Sequence, residues 1–117
     1  MPDPNEIAKL EMIATRLLAR TKMNRCQWQP TADDLTFQLP MEDHAILIQK
    51  EGPFITMSIR DSAARTISSL EVLAHVPASA IISPEMNRST ILNELHDAAK
   101  KSAFRIDETL DDILRSI

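Results

Sequence analysis

Glycine occurs once in 117 residues, at Gly52, and tyrosine does not occur at all. Phosphate-cradling loops, dinucleotide fingerprints and G-x-S-x-G nucleophile turns each need at least two closely spaced glycines, because only glycine combines easy positive φ with close backbone approach. The chain can build none of them. One cysteine, Cys26, leaves no internal disulfide to form, which suits a reducing compartment. One tryptophan and three phenylalanines are too few for a base-stacking platform. Basic residues are outnumbered, 13 to 17, giving a net charge of −4 that disfavours non-specific nucleic-acid binding. No apolar run approaches the roughly 18 residues of a membrane span. The opening Met-Pro-Asp-Pro-Asn-Glu lacks the basic-then-apolar order of a secretory leader. A cytoplasmic location without membrane contact is the expectation.

What is present suffices for one domain over residues 1–117, since 44% apolar residues can support a core without metal or disulfide. Asp3-Pro4-Asn5-Glu6 predicts a helix N-terminus, with a cap, a proline at the first helical position and a carboxylate three residues on. Ile7, Leu10, Ala14, Leu17, Leu18 and Thr21 then fall on one stripe of a 3.6-residue period, with Lys9, Arg16 and Arg20 opposite. Alternation of period two follows. Cys26 and Trp28, then Leu35, Phe37 and Leu39, predict two half-buried strands around a turn at Pro30–Asp34. A third strand is expected at His44–Lys50 and a fourth at Phe54–Arg60, joined at Glu51-Gly52-Pro53, where Gly52 supplies positive φ. Residues 65–76 fit either a helix or a strand, and a short edge strand is preferred. After a connection at Pro77–Ser83, Ser83-Pro84 predicts the start of a second long helix with the stripe Ile91, Leu92, Leu95, Ala98, Ala99 and Ser102. Asp107 is expected to cap a third helix, docked at a sheet edge, in which Leu110, Ile113, Leu114 and Ile117 share one face. The fold class is α+β: an antiparallel meander of four to five strands covered on one face by an N-terminal helix and a C-terminal helix pair.

Candidate sites are few. His44, His75 and His96 lack ligand-spaced companions, so no metal is expected. Cys26 reads as a packed thiol and Glu94, Asp97, Lys100 and Lys101 as surface pairs within the second helix. No catalytic residue and no cofactor is assigned. Glu108, Asp111 and Asp112 on the third helix, together with Arg60 on the outward face of the fourth strand, are the candidate partner contacts. Arg16, Arg20, Lys22 and Arg25, clustered at the end of the first helix, are the alternative contacts for a nucleic acid, although they also complement the helix dipole. Ile46 and Ile48 on one side and Ala45 and Leu47 on the other make the third strand apolar on both faces, which suggests either a central position with something else behind it or a homodimer through the second face of the sheet.

Leu17-Leu18-x-x-Thr21-Lys22, Trp28, Thr36-Phe37, Leu92-x-x-Leu95 and Ile106-Asp107-x-x-Leu110-Asp111-x-Ile113-Leu114 resemble the order of motifs in a group of small bacterial α+β proteins of unassigned activity. The resemblance spans nearly the whole chain and implies the same layout and a bacterial cytoplasmic setting. It transfers no activity. Where that group has glycine after the fourth strand, this chain has Asp61-Ser62-Ala63-Ala64. A looser similarity, of fold shape only, is to small acidic secretion chaperones, and it would require a dimer with an exposed apolar groove. The functional expectation is a non-enzymatic protein-binding or regulatory domain, an adaptor of immunity or chaperone type. The alternative is a small nucleic-acid-associated regulator.

Overall fold

The computed structural model describes residues 3–74 and 84–117, so His75 and the Ser83 cap lie outside the described residues. Helix α1 (Pro4–Lys22) opens as its sequence dictates, with the Asp3 carboxylate accepting the Glu6 N–H at 2.8 Å and proline in the first turn. Five strands follow in simple antiparallel order: β1 (Gln29–Pro30), β2 (Thr36–Pro40), β3 (His44–Glu51), β4 (Phe54–Asp61) and β5 (Thr66–Leu73). Helices α2 (Pro84–Ala103) and α3 (Ile106–Ser116) close the chain. The fold is α+β as expected, with Thr66–Leu73 of the ambiguous 65–76 segment forming an edge strand.

The strand register explains the core. Phe37, Ile48, Met57 and Leu70 lie side by side across β2 to β5, and all four are buried. Leu39, Ile46, Ile55 and Val72 extend the same face. Onto it α1 lays Leu10, Ala14, Leu17 and Leu18, and α2 lays Leu92, Leu95 and Ala99, the last three without solvent exposure. The small Ala99 lets the end of α2 approach closely, and the Phe37 ring meets Phe104 edge-on at 5.6 Å.

Trp28 joins the layers. Its indole N–H donates to the buried Thr21 hydroxyl at 2.9 Å, and its backbone N–H donates to the Ser102 hydroxyl at 3.0 Å. Ser102 in turn donates to the Cys26 carbonyl, and its own carbonyl accepts from the Gln27 side chain. This corrects the expected strand at Cys26–Gln29: β1 begins only at Gln29, because the backbone of 26–28 finds partners on α2. Leu35 is also corrected. It is exposed rather than inward, since Asp33 accepts its N–H and holds it in the turn before β2.

Gly52 has φ +56° between directly paired Glu51 and Phe54. Proline at 53 cannot take positive φ, so of the two primed hairpin turns only type II′ fits. The next hairpin meets the same demand without glycine. Ala64 sits at φ 64°, and the Asp61 carboxylate laces the loop by accepting the N–H groups of Ala63 and Arg65 and the Arg65 guanidinium. The Arg65 N–H is the main cause holding the Asp61 carboxyl below its ordinary pKa. A left-handed alanine is strained by its Cβ. Ala64→Gly is therefore expected to raise stability in urea unfolding by roughly 0.5–1 kcal/mol, after allowance for the greater freedom of glycine in the unfolded chain. A loss of stability would show that the loop is not held in this conformation.

Candidate functional site

The residues proposed as contacts fall on three surfaces. The first is the uncovered face of the sheet. Gln38, Leu47, Ser58 and Ser69 form one transverse row on it, and Pro40, Ala45, Arg60 and Thr66 another. Leu47 is only 9% exposed, yet it lies outside the main core cluster. Its own-chain neighbours cover it, so its burial requires no second subunit on this face. Arg60 stands at the irregularity between β4 and β5, and its Nε is buried without a hydrogen-bond partner among the described residues. A buried donor without a partner is costly, and it singles Arg60 out on this face.

The second surface is α3. It starts at Ile106 and not at an Asp107 cap: Arg105, with φ 50° and no capping side chain, precedes it and turns the chain out of α2. Three of its residues and the C-cap residue Ile117 form the apolar stripe, and they are open to solvent. Leu110 is 53% exposed, Ile113 51%, Leu114 68% and Ile117 92%. The expected docking at a sheet edge is thus corrected, because α3 leans on α2 only at its beginning and carries its stripe away from the core. Glu108 pairs with Arg105 at 3.8 Å and Asp112 with Arg115 at 2.9 Å, both within the same short segment. Asp111 is exposed and accepts from Arg115 only through its backbone carbonyl. No hydrogen bond or ion pair among the described residues connects Arg60 to these carboxylates, so the two halves of the candidate site remain separate surfaces.

The third surface is α1. Arg16 and Arg20 are exposed on its outer side, beside Met12 and Ile13. Lys22 points elsewhere: it meets Glu94 of α2 at 3.7 Å, so Glu94 reaches between helices rather than along its own. Arg88 of α2 likewise pairs with Glu11 of α1. Lys22 lines a groove of about 630 Å³ in which Glu94, Asp97 and Glu108 are mixed with Lys101 and Arg105, so this end of the basic cluster is interrupted by carboxylates. The four cations proposed for nucleic acid therefore do not form one uninterrupted patch.

His96 is buried on α2, one turn from Leu92 and Ala99, tilted against Phe37, with its Nε2 3.0 Å from the Leu35 carbonyl. A carbonyl only accepts, so Nε2 carries the hydrogen. Sequence reasoning missed this burial, although the spacing 92, 95, 96, 99 was the cue. Among the described residues no group of three or more His, Cys, Asp or Glu side chains is placed to hold a metal. No helix among them is long and apolar enough to cross a membrane. Comparison with protein families, curated proteins and solved structures finds no match, so the fold and these surfaces are the whole basis for a functional reading.

Proposed function

We propose that the chain is a non-enzymatic protein-binding domain of regulatory, immunity-adaptor or chaperone-like kind, acting in a bacterial cytoplasm, and that α3 is its association helix. One observation carries the reading: three large apolar side chains, Leu110, Ile113 and Leu114, regularly spaced on an eleven-residue helix, and a fourth, Ile117, at its C-cap, lie at least half exposed. Helices of that length are marginal in water unless their apolar face packs against something. The body of the domain does not cover this stripe, which leaves a protein partner as its cover. The acidic flank with Asp111, and the half-buried Arg60 on the open sheet face, add polar groups for specificity. The nucleic-acid alternative has less support, because Glu94 engages Lys22 and the chain is acidic overall.

A photo-crosslinking amino acid at position 114, introduced in the native host, tests the reading. A discrete covalent protein adduct, reduced by Leu110→Asp, is the expected result. Complete absence of a protein adduct would contradict it.

A further inference from the structure

Taking α3 as an association helix, we infer that its partner is a second copy of this chain, and that the stripe docks on the outer side of α1 where α1 borders α2. That region is apolar at its centre and basic at its edge. Ala8 and Met12 of α1 face Asn87 and Ile91 of α2 across a shallow groove lined also by Arg16 and by Glu11, whose carboxylate is neutralised by its pair with Arg88. Met12 is 53% exposed, and Ile13 adds a second uncovered side chain. Lys9, Arg16 and Arg20 lie along the outward face of α1 and are all exposed. The helix that would cover it has the inverse make-up, with Leu110, Ile113, Leu114 and Ile117 beside a run in which residues 106–117 hold four carboxylates and one arginine.

Charge decides between the ways in which two copies can meet. Pairing α3 with α3 would set two acidic helices side by side, whereas pairing α3 with α1 sets acidic against basic. Length also fits: α3 spans about 16 Å and α1 about 28 Å at 1.5 Å per residue, so the shorter helix lies wholly on the longer. Exchange of α3 in both directions closes the pair with two-fold symmetry and forms the contact twice, which supplies area that one short helix lacks.

Sedimentation equilibrium of the purified full chain over a wide concentration range tests this. The wild-type chain is expected to be dimeric. Leu114→Asp should weaken the dimer roughly 30-fold or more, as loss of a central apolar anchor does, without change in circular dichroism. Arg16→Glu with Arg20→Glu should weaken it about ten-fold or more, and adding Asp111→Arg with Asp112→Arg to that pair should restore it. A wild-type chain that is monomeric at every concentration overturns the inference, while the crosslink in the host still reports on the broader reading. A dimer sensitive to Leu114→Asp but indifferent to the arginine changes, or one tightened by Asp111→Arg and Asp112→Arg alone, also overturns it, because α3 then docks elsewhere.

Discussion

Met57→Asp is expected to leave the chain unfolded at 25 °C, while Ser58→Asp, one residue along the same strand, should change stability by less than about 1 kcal/mol. Met57 is fully buried between Ile48 and Leu70, in the core cluster that both long helices complete. A carboxyl placed there must either stay charged in an apolar surrounding or bind a proton, and no partner is on hand for either form. The cost is several kcal/mol, against a total stability of about 5–15 kcal/mol for an ordinary domain. Ser58 belongs to the opposite face, partly exposed between Leu47 and Ser69, and Arg60 lies two residues along on that face. Far-ultraviolet circular dichroism of the two variants checks the pair. Equal damage from both would mean that the sheet is buried on two sides.

Trp28→Ala is expected to cost about 3–5 kcal/mol, measured by urea unfolding. The indole is 1% exposed, so its removal opens a large cavity between the end of α1 and the end of α2. It also strips the buried Thr21 hydroxyl of the donor it accepts from, and loss of a buried partner adds to the penalty. A cost below about 1 kcal/mol would show that Trp28 does not join the layers.

The fold was legible where one period ran long enough to exclude the other. Alternation through Phe37–Leu39 and Ile55–Arg60 marked strands, the short apolar run Ala45–Ile48 between turns marked a third, and the Asp3-Pro4 and Pro84 starts marked helices. Residues 65–76 fitted both periods, and the pairing of Ile55 with Val72 and of Met57 with Leu70 decided the matter through contacts distant in sequence. Cys26–Trp28 alternates like a strand but is held by Ser102, 74 residues away from Trp28, an interaction without local trace. Ala64 shows the reverse: the missing glycine was visible, but the Asp61 carboxylate that holds the loop without it was not. The site divides in the same way. An amphipathic third helix could be read directly from Leu110, Ile113, Leu114 and Ile117, whereas its freedom from the core depends on the left-handed turn at Arg105, which no residue preference announces. Likewise the double apolar character of β3 suggested a subunit behind the sheet, yet Leu47 is covered by residues of its own chain.

Amide hydrogen exchange of the dilute chain, followed peptide by peptide, tests most directly whether α3 stands outside the folded core. Amides of β3, β4 and the Leu92–Ala99 turns of α2 are expected to exchange only through global opening, and those of Leu110–Ile117 orders of magnitude faster. Protection of Leu110–Ile117 equal to that of β3 in the dilute monomer would contradict the account, because the stripe would then be covered by its own chain.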